Sequence, residues 1–497
     1  MKREKFIRTV ALLLCAVLVF GITIGCTTKQ DDKSTVSEIE DDDFVLDDDD
    51  AVYEGGGDDK STKTQGDKKE TKNDVKKPTT TAKKATGGGA DYGLDYTDNT
   101  EIFKNIPKEY KGKTVLFADW GEASADRYQL VVKKFTEETG IKVKMLLYNE
   151  SDFISNVAKQ IAAGSSPDIV ACNSTFPQAL EVVQELPSIF NVNDGFWDPR
   201  VTEATMVGGK KYFVNTYNSP FTGGYVVYYN KRIFNNNGIT SPEDYYKAGK
   251  WTYENLFKAM QDVKKAGFNG GIIECMTLAG QMGKSLINYD KSTGTFKGMA
   301  TDEDLIAALQ FMAKAVDEGL AGGYGITDFA SGQVGICMAG TYGLKYNGYF
   351  KDMSPTDIGV VPLPNSYQGK KLELMPLGYR GYGICKGAKN PGPAYYFLRY
   401  YLDLDKYEPA GANIFANKVL EKYFRQTQLV LFQKSKLFFE YYQGALNLAG
   451  HGWSTSEWVA VRHAPVNQVA VELKARENIT NNAAALATEK LKEFAKK

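Results

Sequence analysis

Three short apolar runs in this sequence end in side chains that can grip a ligand. Thr114–Ala118 (TVLFA) gives way to Asp119, Trp120 and Glu122; Ile169–Cys172 gives way to Asn173, Ser174 and Thr175; Gly270–Ile273 leads into Glu274. An indole offers a flat apolar plane, while amides, hydroxyls and carboxylates supply directed hydrogen bonds. Together they suit a polyhydroxylated ring, whose C–H faces stack and whose hydroxyls are met one by one. Aromatic supply is ample, since 12% of the chain is aromatic and it holds 30 tyrosines, but most of these must serve as core or surface. No G-x-S-x-G elbow, H-E-x-x-H helix or P-loop is present. His451 and His463 are the only histidines, so neither a histidine-rich metal site nor a cofactor is expected.

These residues need elements to hold them. Thr114–Ala118 reads as a buried strand that Asp119-Trp120-Gly121 breaks. Tyr128, Val131, Val132 and Phe135 recur at helical spacing, with Gly140 where a helix C-terminus wants it. Ile141, Val143, Met145 and Leu147 alternate with lysines as a strand does, Phe153, Val157 and Ile161 form the next helical stripe, and Ile169–Cys172 is a further buried strand. Strand, helix, strand, helix, strand predicts parallel α/β units, whose ligands sit beyond the carboxyl ends of the strands. That rule singles out the residues after the first and third strands.

The rest of the chain bounds location and class. At 497 residues, two lobes with additions are expected, and a formal net charge of −1 removes a global electrostatic case for nucleic acid. Lys2, Arg3, Lys5 and Arg8 precede an apolar run from Val10 to Ile24, too short for a spanning helix and suited to a signal peptide over residues 1–25. Gly25-Cys26 followed by Thr27, Thr28, Lys29 and Gln30 resembles the lipobox of bacterial lipoproteins, which implies that Cys26 becomes a lipidated N-terminus. Residues 26–112 read as a disordered tether: the charges of Asp31–Asp59 are nearly all acidic, Lys60–Lys84 swings basic, and glycine triplets stand at Gly55–Gly57 and Gly87–Gly89. Cys172, Cys275, Cys337 and Cys385 sit among apolar neighbours at no metal-like spacing and read as small buried hydrophobes.

From Lys113 onward the order of motifs is similar to one family. KFTEETGIKV with GSSPDIVACNS (Gly164–Ser174), GKKYFVNTYNSPFTGGYVVYYNKRIF (Gly209–Phe234), SGQVGICMAGTYG (Ser331–Gly343), DIGVVPLP (Asp357–Pro364) and GYGICKGAKNPGPAYYFLRYYLD (Gly381–Asp403) resemble the extracellular solute-binding proteins of ATP-driven importers, in the branch that includes maltose-binding protein. The resemblance implies an α/β, two-lobed periplasmic-binding-protein-like fold with hinge crossings near Asn218–Gly223, Leu377–Arg380 and Leu404–Pro409, and a ligand cleft between the lobes. Lobe one is then 113–220 plus 380–405, and lobe two 221–379 plus 406–497. It also implies closure of the lobes on a small-molecule solute, a membrane permease as partner, and a monomer held at the outer face of the membrane by its lipid. On family position, Tyr342 after Ala339-Gly340-Thr341, Trp458 in EWVAVRH and Trp453 in HGWS join Trp120 as aromatic candidates; Asn218 and Arg380 lie at crossings. Arg380 meets either an acidic ligand group or Asp119, with the latter preferred. Trp251, ahead of a helix capped by Thr252, is expected to be structural. A carbohydrate is the expected ligand; an anion, peptide or polyamine, and an extracellular glycoside hydrolase whose carboxylate separation the sequence does not reveal, remain alternatives.

Overall fold

The computed structural model describes residues 97–496 except 121–125, 150–151, 173–174, 217–222, 324, 341–349, 351–352, 379, 413–435 and 451–454. The expected signal segment, the expected lipidation site Cys26 and nearly all of the expected tether therefore lie outside the described residues. The strands follow in the order β1 (Thr114–Trp120), β2 (Lys142–Tyr148), β3 (Ile169–Cys172), β4 (Phe213–Val214), β5 (Gly223–Asn230), β6 (Asn269–Ile272), β7 (Ile287–Asp290), β8 (Thr295–Gly298), β9 (Val334–Gly340), β10 (Ile358–Val361), β11 (Ser366–Tyr367), β12 (Lys370–Lys371), β13 (Leu374–Gly378), β14 (Gly381–Ile384) and β15 (Lys436–Phe439).

The first sheet is ordered β2-β1-β3-β14-β4. β1 runs parallel to both β2 and β3, while β14 lies antiparallel between β3 and β4. Side chains alternate across it as the pleat requires. Val115 and Phe117 of β1, Ile169 and Ala171 of β3, and Tyr382 and Ile384 of β14 join one buried cluster; Ala118, Val170 and Cys172 join the other. The helix Asp126–Thr139 buries Tyr128, Val131, Val132 and Phe135, then stops where Gly140 takes a left-handed φ of 72°. Each such side chain stabilises the fold by about 1.5–3 kcal/mol relative to exposure. The helix Pro391–Tyr401 closes the same face, its Phe397 ring 5.7 Å from Phe117.

The second sheet is ordered β15-β13-β5-β9-β6, with β10 added on β5. It is mixed: β5 opposes β9, β10 and β13, whereas β6 runs with β9 and β15 with β13. The chain passes from the first sheet to the second between Val214 and Gly223 and returns between Gly378 and Gly381. It reaches the second sheet again at β15, after the helix Pro391–Tyr401. The final helix, Glu477–Lys496, lies on β8, where Thr488 Oγ1 accepts from the Phe296 amide at 2.8 Å.

One boundary differs from the sequence expectation. β1 does not stop at Ala118; it pairs with β2 through Asp119↔Leu147 and Trp120↔Tyr148. An aspartate can occupy a buried strand position here because Arg380 neutralises it, a partner invisible from local sequence. Trp251 is structural as expected: it is buried, its Nε1–H donates to the Pro362 carbonyl at 2.7 Å, and Thr252 caps the helix Tyr253–Lys265 by accepting from Asn255. Cys172, Cys337 and Cys385 are buried thiols, and burial pushes those of Cys172 and Cys337 up to about 12. Among the described residues no helix is long and apolar enough to cross a membrane.

Candidate ligand cleft

The crossings bring particular strand ends together. At the first sheet, β1 ends on Trp120, β2 on Tyr148 and β3 on Cys172, beside which β14 begins at Gly381. At the second, β13 ends at Gly378 opposite Gly223, where β5 begins, and Tyr225 of β5 pairs with Gly340 at the end of β9. Gly378 and Gly381 are separated by two residues, so these edges lie within about 11 Å along the chain. A ligand site beyond the carboxyl ends of β1 and β3 therefore borders the second sheet as well.

Asp119 anchors the first-sheet edge. Its carboxylate is wholly buried and accepts from Arg380 Nη2 at 2.8 and 2.6 Å through its two oxygens. A buried carboxylate left unpaired is strongly destabilising, so the pair is obligatory once β1 extends this far. Arg380 Nε–H donates to the Tyr382 hydroxyl at 3.1 Å, and the Arg380 carbonyl accepts from Asn215 Nδ2 at 2.7 Å. Asn215 is itself buried and stands on the outgoing passage, so this bond ties the outgoing chain to the returning one. The guanidinium also lies over the Trp120 ring, 4.7 Å from its centroid, while Phe153 packs edge-on to that ring at 5.1 Å. Trp120, half-buried, is thus held on two sides by a cation and an aromatic edge.

Of the sequence candidates, the structure unites Trp120 and Arg380, and Arg380 meets Asp119, the preferred of its two partners. Glu274 occupies the N-cap position of the helix Cys275–Gln281 without a side-chain cap bond. The register Ile272↔Cys337 puts Glu274 at the second-sheet edge where β9 ends. Glu122, Asn173, Ser174, Asn218, Tyr342 and Trp453 lie outside the described residues. Trp458 falls in the helix Thr455–Arg462, and its side chain lies outside them.

The sequence reading missed Asn215, Tyr382, Tyr148 and Glu440. The Tyr148 hydroxyl is buried with no hydrogen-bond partner among the described residues, and burial raises its pKa. Alternation along β2 was the available signal, because it sets Tyr148 at the end of the strand beside Trp120. Glu440 follows β15, whose Phe439 pairs with Leu377 just before the crossing. Burial pushes its carboxyl up to about 8, although it accepts from the Tyr442 amide. The helix that follows, Tyr442–Leu448, reaches back toward the first sheet: the Tyr441 hydroxyl donates to the Ala204 carbonyl at 3.0 Å, and Asn447 Nδ2 donates to Gln178 at 3.1 Å. Gly444 is required there, since a Cβ would sit 2.1 Å from the Phe176 carbonyl oxygen. Among the described residues no group of three His, Cys, Asp or Glu side chains could hold a metal ion.

Two α/β bodies joined by crossings, with polar and aromatic groups gathered at the joined edges, define a two-lobed binding protein. The chain belongs to the family of bacterial extracellular solute-binding proteins, whose model matches residues 122–405. Solved structures carry the same fold. An ABC substrate-binding protein from Listeria monocytogenes in complex with cycloalternan is 18% identical with a TM-score of 0.51, over 77% of this chain and 98% of that one. The galacto-N-biose/lacto-N-biose I-binding protein of an ABC transporter from Bifidobacterium longum, in complex with lacto-N-biose, is 15% identical with a TM-score of 0.56, over 77% and 97%. The cyclic α-maltosyl-1,6-maltose binding protein from Arthrobacter globiformis is 15% identical with a TM-score of 0.51, over 77% and 99%. No curated protein sequence matches.

Proposed function

We propose that this solute-binding protein captures an oligosaccharide between lobe one (113–220 plus 380–405) and lobe two (221–379 plus 406–497), and hands it to the membrane permease of an ABC importer. The observation that carries the reading is Trp120: a half-buried indole at the carboxyl end of a parallel strand, braced by Arg380 and Phe153 beside the crossings. A braced indole loses little freedom when a sugar ring stacks on it. The ligands of the similar structures, cycloalternan, lacto-N-biose and cyclic maltosyl-maltose, are all oligosaccharides, which supports that ligand class. Because Asp119 engages Arg380, we assign Arg380 the role of positioning Trp120 and the crossing.

On the second lobe Glu274 and Tyr342 meet the ligand from the edge where β6 and β9 end, with Glu122, Asn173, Ser174, Asn218, Trp453 and Trp458 completing the set. Contacts from both lobes favour the closed state, and only such differential affinity shifts the hinge. Binding proceeds without turnover. Cys26 carries the lipid, the segment up to residue 112 lifts the body off the surface, and the protein acts as a monomer at the outer face of the cell membrane.

Calorimetric titration of the purified chain with a glycan panel, coupled to product analysis, tests this. Saturable binding of at least one oligosaccharide with the sugar recovered intact is the expected result. Cleavage products would refute the absence of turnover, and affinity for peptides, anions or polyamines alone would refute the sugar assignment.

A further inference from the structure

A second pocket lies wholly within the second-sheet half of the molecule and shares no residue with the cleft group. It is a cavity of ≈ 360 Å³ between the helix Tyr253–Lys265, the helix Glu303–Asp317 and the β11–β12 hairpin, lined by Glu254, Phe257, Gln310, Phe311, Lys314, Tyr367, Gln368 and Val466. Its floor is aromatic: Phe311 packs edge-on to Phe257 at 5.7 Å and to Tyr367 at 5.6 Å. Its rim is polar and mixed in sign. Glu254 is held ionised, its carboxyl lowered against the opposing effect of burial by the Gln368 amide that donates to it at 2.7 Å. Lys314 lies over the Phe257 ring, 5.0 Å from its centroid, and Gln310 and Gln368 add two side-chain amides.

The hairpin over this pocket is strained. Gln368 adopts a φ of 49°, the one non-glycine residue with a positive φ among the described residues, followed by Gly369 at 73°. A two-residue turn of this hand favours Asn-Gly or Gly-Gly, so a glutamine here sits against local preference. Strain of this kind clusters at ligand clamps, where it is retained for the side chain it presents. What it presents is an amide beside the Tyr367 hydroxyl, to which Gln368 Nε2 donates at 3.2 Å.

We infer that this pocket is a second, weaker binding site for a neutral sugar of one or two rings. The small accessible part of the aromatic floor, its rings 7–8% exposed, meets C–H groups, while a carboxylate, two amides and an ammonium meet hydroxyls as both acceptors and donors. Glu254 disfavours polyanions and Lys314 disfavours polycations. The volume falls at the small end of the range of ligand pockets, which excludes a long chain.

Titrating the full chain with maltose, mannobiose and lacto-N-biose, from micromolar to millimolar sugar, tests the inference. At least one of them is expected to show a tight and a weak class of sites. Gln368→Gly with Gln310→Ala weakens the weak class by about tenfold or more and leaves the tight class unchanged. Glycine accepts the turn without strain, so the melting temperature holds or rises. Lys314→Glu, an exposed change, weakens the same class independently, with its melting temperature measured alongside. A wild-type chain that saturates at one site with each sugar overturns the inference, as does a weak class indifferent to these variants. The cleft reading fails separately, if Trp120→Ala leaves the tight class untouched.

Discussion

Two of the arginine–aspartate pairs among the described residues, those of Arg399 and Arg380, have nearly the same chemistry and different purposes. Arg399 is fully buried; its Nη1 donates to Asp194 at 2.8 Å, its Nε to Asn99 at 2.7 Å and its Nη2 to the Thr97 carbonyl at 2.8 Å, and Phe196 lies under the guanidinium at 4.3 Å. Every arm of the fork is spent on protein, and what it grips is the first described segment of the chain. Arg380 also pairs with a buried aspartate and stacks on an aromatic ring, but 12% of its side chain remains accessible and the ring it braces stands at the edge of the proposed cleft. A guanidinium wholly enclosed by partners works as a staple. One at a rim, with its aromatic neighbour half-exposed, works as a support for something still to bind.

The sharpest way to break this comparison is to remove each arginine. Arg399→Ala leaves Asp194 buried without its cation and should destabilise the fold by about 3–5 kcal/mol in denaturant unfolding. Ligand affinity of the fraction that folds should be unchanged. Arg380→Ala should destabilise less, by about 1.5–3 kcal/mol, because water reaches the vacated rim, and it should weaken ligand as well. Equal stability losses with no change in affinity would make both arginines staples.

Trp120→Ala isolates the supported surface. It should weaken ligand by about 1–3 kcal/mol in calorimetry, with a smaller change in melting temperature than either arginine variant produces. The last comparison turns on pH and belongs to Glu440, whose folded pKa is raised above the ordinary value of 4.5 to about 8. Between those two values the folded chain holds a proton that the unfolded chain releases. Stability contributed by the protonated form is thus present below the unfolded pKa and declines as pH rises toward about 8. Glu440→Gln should flatten that slope in unfolding measured from pH 5 to 9, and an unchanged slope would assign it to other groups.

Much of the first sheet was legible because its signals are local. Apolar runs of strand length, helical stripes such as Tyr128–Phe135, and glycines at helix ends each state a backbone preference within a few residues. The site was legible only where it touched those signals: Trp120 stands out because it follows a strand. Asn215 and Tyr382 left no comparable trace. Asn215 follows a two-residue strand and finds the Arg380 carbonyl 165 residues away, and Tyr382 reads as one more aromatic in a strand. Asp119 reads as the break in β1 because, alone, a carboxylate does end a buried run; its neutralising partner lies 261 residues downstream.

By itself the sequence determined the α/β alternation, the class of element at most positions in the first sheet, the structural place of Trp251 and, through the order of its motifs, the family. These follow from hydrophobic period and capping, which act over a turn of helix or a strand's length. Only the tertiary structure decided that β1 continues through Asp119, that Arg380 is committed to that carboxylate and braces Trp120, and that Arg399 holds the beginning of the folded chain. Those outcomes depend on where a buried charge finds its counter-charge, and desolvation makes that choice binding only once distant segments have packed together.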